Sequence, residues 1–182
     1  MTSSLGSRHY ETVPIYRRVC AAIAVVAMTV SGPLPRADGA VARVADPLND
    51  APPEYDVEAV RYEHSSARVS AVARLPELGR RGKAQLAITH FTVFEAGYVG
   101  QVSKRPGVAP RVQLFYFDHF DLSPRKCAGM KGSWGASRIQ IFVPKACMGQ
   151  DVQQAERVYA QFTAGGGGDI DSANAVRRLQ KD

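Results

Sequence analysis

The chain has 182 residues, 45% hydrophobic and 8% aromatic, and its 23 Lys and Arg against 17 Asp and Glu give a formal net charge of +6. So mild a basic balance fits either an anionic surface such as a cell-envelope polymer or plain solubility. It argues against a nucleic-acid partner, because no helix-turn-helix pattern, zinc-finger spacing or RNP-like aromatic signature accompanies it.

Residues 1–42 read as an export signal. A basic region ends in Arg17 and Arg18, a 12-residue apolar run follows from Val19 to Val30, and Ser31, Gly32, Pro33 and Pro35 break it. A membrane-crossing helix needs about 20 residues, so no permanent membrane span is expected. Ala40-Val41-Ala42 offers a cleavage site before Arg43, with an alternative cut a few residues upstream. Cys20 lies at the start of the apolar run, which does not match a lipid-attachment box. The arginine pair leaves general and twin-arginine export both open. The remaining 140 residues carry a charge of +4 and suit one domain with one core. The expected location is secreted, extracellular.

Residues 43–56 form a turn-rich segment containing Asp46-Pro47-Leu48-Asn49-Asp50 and Pro52-Pro53. Runs rich in β-branched or aromatic residues follow at 57–62, 68–75, 84–94, 98–104, 111–118 and 137–143, each bounded by Gly, Pro, Asp or Ser. In the sixth run Ile139, Ile141 and Val143 alternate with Arg138 and Gln140. The third and fifth are apolar on both faces, as strands covered on both sides would be. Residues 151–164 mix a helix-favouring Gln153-Gln154-Ala155-Glu156 with an alternating Val158, Ala160 and Phe162; residues 157–163 are read as a seventh strand, with helix as the alternative. Four glycines at 165–168 are expected to end regular structure, leaving residues 165–182 as a Gly-rich, polar tail, frayed or closed by a short helix. The pattern predicts an all-β fold: an antiparallel β-sandwich of about seven strands over residues 57–164.

Loss of Cys20 with the leader leaves an even pair, Cys127 and Cys147, 20 residues apart. In an oxidising compartment they are expected to form a structural disulfide, two free thiols being the alternative.

Several short stretches resemble a family of small secreted actinobacterial proteins of unknown function. They are the Asp46–Asp50 turn, the run Val69 to Leu78, the two cysteines with Trp134 between them, the close Val143-Pro144-Lys145-Ala146-Cys147-Met148-Gly149, and the polar segment 169–175. That resemblance implies a single-disulfide β-sandwich and a secreted location, and no activity.

Connections in an antiparallel sandwich alternate between its two ends. Arg80, Arg81 and Lys83, with Lys104 and Arg105, are therefore expected at one end as a basic rim able to hold phosphate or sulfate groups; the alternative is charged turns that are simply solvated. The opposite end would gather His64, Glu95, His119 and Asp121, a set able to ligate zinc. Asp46, Asn49, Asp50 and Asp56, and in the tail Asp169, Asp171 and Asn174, offer oxygens to calcium without an EF-hand pattern; Asx turns explain the same residues. Tyr98, Tyr116, Phe120 and Trp134 would stack on sugars if exposed, although most are expected in the core. No nucleophile-elbow, zincin, Walker or dinucleotide motif occurs. Two functions follow: a non-catalytic module binding a cell-envelope polymer, carbohydrate or protein, and a metal-dependent hydrolase built on His64, His119 and Asp121.

Overall fold

The computed structural model describes residues 39–90, 95–119 and 121–181. The expected leader falls almost wholly outside them. The fold is an all-β sandwich of two antiparallel sheets. Twelve strands are described: β1 (Gly39–Ala45), β2 (Ala59–Ser65), β3 (Arg68–Arg74), β4 (Gly82–Thr89), β5 (Ala96–Lys104), β6 (Arg111–Asp118), β7 (Asp121–Arg125), β8 (Lys131–Trp134), β9 (Arg138–Pro144), β10 (Arg157–Gly166), β11 (Asp169–Ser172) and β12 (Val176–Gln180). The smaller sheet runs β1-β2-β3-β9-β8, and the larger runs β11-β10-β4-β5-β6-β7, with β12 also on β10.

Period-two alternation explains the core. Val60 and Tyr62, Val69, Ala71 and Ala73, and Ile139, Ile141 and Val143 turn inward from the smaller sheet; Ala84, Leu86 and Ile88, and Val158, Ala160 and Phe162, meet them from the larger one. Small residues stand opposite large ones: Ala71 is registered between Tyr62 and Ile141. The edge of β10 is shared by β12 and β11, whose pairings stop at Ala160 and resume at Thr163. In the gap the buried Tyr62 hydroxyl accepts the Phe162 N–H at 2.9 Å, while Ala173 N–H donates to the Phe162 carbonyl. A buried backbone pair that the strands leave free is thereby satisfied.

The seven expected strands are present, and residues 157–163 lie in β10 after a short helix, α1 (Gln150–Gln154). The expected disulfide joins Cys127 and Cys147, with Cα atoms 5.2 Å apart. It fastens the segment between β7 and β8 to the turn after β9.

Three expectations are corrected. The regular fold is wider than residues 57–164, because β1 begins at Gly39 and pairs along all of β2, with Ala40, Ala42 and Val44 against the core. Cleavage before Arg43 would divide that strand, and a cut at or before Gly39 leaves it whole. Residues 165–182 are not a free tail: Gly167 and Gly168, at φ of 70° and 113°, turn the chain back so that β11 pairs β10. Positive φ at both positions is what this two-residue hairpin uses, and glycine adopts it without strain. Finally, β4 and β6 are not covered on both faces along their whole length: on the outward side Lys83 and Arg111 are exposed and Gln85, Ala87, Gln113 and Phe115 half-buried, while only Thr89 and Phe117 at the far end are buried.

Candidate functional site

The outward face of the larger sheet is ordered in rows by strand register. Lys83, Ser103 and Arg111 stand side by side on β4, β5 and β6, opposite Gly165 on β10. The next row is Thr163, Gln85, Gln101 and Gln113, and the next holds Phe115 with Val99, Ala87 and Gln161. Neighbours in a row are about 4.8 Å apart along the hydrogen-bonding direction. Gln85 Nε2 donates to Gln101 Oε1 at 3.1 Å, which fixes the amides while leaving hydrogen-bonding capacity outward.

The first two rows and Phe115 of the third form the floor of a groove of about 880 Å³. Its volume lies within the range of small-ligand sites, about 300–1,000 Å³. Arg81, Lys104 and Arg105 stand at the end where β4 begins and β5 finishes, and there Lys104 Nζ donates to the Val108 carbonyl. The other wall is the β10–β11 hairpin with Asp169 and the exposed Ile170. Tyr55 closes that side, its ring lying against Gly82 and Gly166. A Cβ on Gly166 would meet the Tyr55 Oη at 2.2 Å, so only glycine admits the ring there.

The groove is strongly one-signed. Arg81, Lys83, Lys104, Arg105 and Arg111 line it against one carboxylate, Asp169. Among the described residues, none of these five cations stands in an ion pair. Four of the five expected rim residues therefore converge here, and Arg80 does not line the groove. Sequence reasoning missed Arg111 and the glutamine row, because alternating polar residues on a strand look like any solvated face. The arginine's place was readable only from the β5–β6 register.

The histidine end assembles differently from expectation. His64 is fully buried in the sandwich: with the Leu179 carbonyl 3.0 Å from Nδ1, that nitrogen donates, and Nε2 accepts from Lys145 Nζ at 3.0 Å. Both ring nitrogens are used, so His64 has no lone pair for a metal. Burial, and then the neighbouring Lys145 and Lys181 charges, push its pKa below the ordinary histidine value, and burial does the same to Lys145. Glu95 and His119 do meet, the His119 N–H donating to the Glu95 carbonyl at 2.5 Å. Asp121 lies across the β6–β7 turn from Asp118, whose carboxylate holds His119 Nδ1 at 2.8 Å. These residues sit on the larger sheet, apart from His64. Among the described residues, the group spaced to hold an ion is instead Asp46, Asp50 and Asp171.

The aromatic candidates are mostly core. Tyr98 and Trp134 are buried, Tyr98 meeting Tyr116 edge-on at 5.3 Å and accepting the Gly149 N–H at 2.6 Å. Phe120 lies outside the described residues. The aromatic ring on the groove floor is Phe115.

Compared with protein-family models, curated proteins and solved structures, the chain matches none. No described helix is long and apolar enough to cross a membrane.

Proposed function

We propose that this chain is a non-catalytic binding module, working outside the cytoplasm, whose outer-sheet groove holds an anionic carbohydrate polymer of the kind a cell envelope presents. The observation that carries this reading is the layering, across a single groove, of five cations outside any ion pair among the described residues, an amide row and the Phe115 ring. Each layer matches a part of such a ligand. Guanidinium and ammonium groups take phosphate, sulfate or carboxylate through charge-assisted hydrogen bonds. Amides both donate and accept, as sugar hydroxyls do. Phe115 offers an apolar face to a sugar ring. The disulfide fits an oxidising compartment.

The test is equilibrium binding to dextran sulfate and to neutral dextran, which share a backbone and differ in charge. Dextran sulfate is expected to bind and neutral dextran to bind at least about 10-fold more weakly. Affinity for the sulfated polymer should fall steeply with salt, since screening shortens from about 10 Å at 0.1 M to about 3 Å at 1 M. Equal affinity for the two polymers contradicts the reading.

A further inference from the structure

Asp46 and Asp50, in the segment after β1, and Asp171, on β11, each bring a carboxylate oxygen within 4.8 Å of the others. Oxygens opposed across a calcium ion stand about 4.6–5.2 Å apart. Backbone N–H groups hold the acids in place. Val57 donates to Asp171 Oδ2 at 2.7 Å, Asn49 donates to Asp56 Oδ2 at 2.8 Å, and Asn174 donates to Asp46. What they leave over is the more telling observation. Among the described residues, Asp46 Oδ2 and Asp56 Oδ1 are buried atoms with no hydrogen-bond partner, and Asp56 as a residue is only 8% exposed. Among the described residues, none of these four acids has a salt-bridge partner.

Buried carboxylate oxygens are normally paired, and like charges this close favour a proton or a cation among them. Burial raises the Asp46 pKa, and the Asp171, Asp50 and Asp56 charges raise it further. A hard, all-oxygen set drawn from two chain segments suits calcium, which takes six to eight oxygens in flexible geometry; magnesium demands a near-ideal octahedron and keeps its waters.

We propose that Asp46, Asp50 and Asp171, with Asp56 beside them, form a calcium site that fastens the segment after β1 to β11. Tyr55 and Ile170, the chain neighbours of Asp56 and Asp171, line the groove, so the ion also stiffens one groove wall. The site is independent of the carbohydrate reading and stands if that reading fails.

The experiment is thermal unfolding of the full chain in about 10 mM calcium chloride, in magnesium chloride and in chelator, a concentration chosen for an extracellular-type site of roughly 0.1–1 mM affinity. Calcium is expected to raise the midpoint by roughly 5–10 °C over chelator, and calorimetric titration to give one ion per chain. Asp46→Asn should abolish the calcium response while unfolding no earlier than the parent in chelator, because it removes one of the clustered like charges. That second readout separates a lost site from a lost fold. No shift with calcium, a shift that Asp46→Asn retains, or a shift with magnesium alone would overturn the proposal.

Discussion

The basic groove and the acidic cluster share their chain segments yet treat charge in opposite ways. Tyr55 and Ile170 line the groove; Asp56 and Asp171, one residue on, belong to the cluster. In the groove the uncompensated cations are mostly exposed, where water keeps their mutual repulsion small and leaves them to attract a ligand. In the cluster two acids are nine-tenths buried, where the same imbalance is costly. The groove's cations are left to a ligand, whereas the proposed calcium ion would offset the charge of the cluster.

The largest expected effect comes from breaking the acidic side. Asp171→Ala removes a proposed ligand and leaves the buried Val57 N–H without its acceptor. A loss of about 2–4 kcal/mol in calcium is expected from urea unfolding, combining an unsatisfied donor with a lost ion. In chelator the loss should be smaller, because the ion's contribution has already gone.

Next is the groove. Arg105→Glu with Arg111→Glu places two acids among the remaining cations, and affinity for dextran sulfate should fall at least about 10-fold. Its thermal midpoint should stay close to that of the parent, since both arginines are exposed and outside any described ion pair. A matching loss in both measurements would erase the contrast between the two regions.

The His64–Lys145 pair is a buried site of the opposite sign. The folded pKa of His64 lies below its unfolded value of about 6.5, so the stability it contributes is full above that pH and is lost as pH falls through the folded value. Unfolding midpoints in urea should accordingly fall as the pH drops below about 6.5. In His64→Gln this limb should be shallower. The Leu179 carbonyl, Lys145 and Lys181 face the ring, and of these groups the two lysines set the sign together with burial.

The smallest effect sharpens the groove's boundary. Arg80→Ala should change dextran sulfate affinity less than about twofold, since the residue does not line the groove. Arg81→Ala, at the next position, should weaken binding measurably more.

The strands with clean alternation, such as β9, were legible because one face is buried and the other is not. β7 was not legible: its residues are all exposed and carry no pattern to read. β1 was hidden because Gly39–Ala45 overlaps the small-residue stretch that resembles a cleavage site. β11 and β12 were lost behind a glycine run that here makes a hairpin instead of an end. The rim arginines and lysines were legible from connection order alone, whereas the glutamine row needed register. Both halves of the acidic cluster stood out in the sequence, but their meeting depends on β11 folding back along β10. His64 was misplaced because its position on β2 points inward, which a histidine in a polar Glu63-His64-Ser65-Ser66 context does not announce.

Amide hydrogen exchange of the full chain with and without dextran sulfate tests the central claim most directly. Protection is expected to concentrate on β4, β5 and β6 and on the hairpin of residues 165–170, with little change at the β6–β7 turn around His119. Protection centred on that turn, or on the outward face of the smaller sheet, would contradict the assignment of the groove as the binding site.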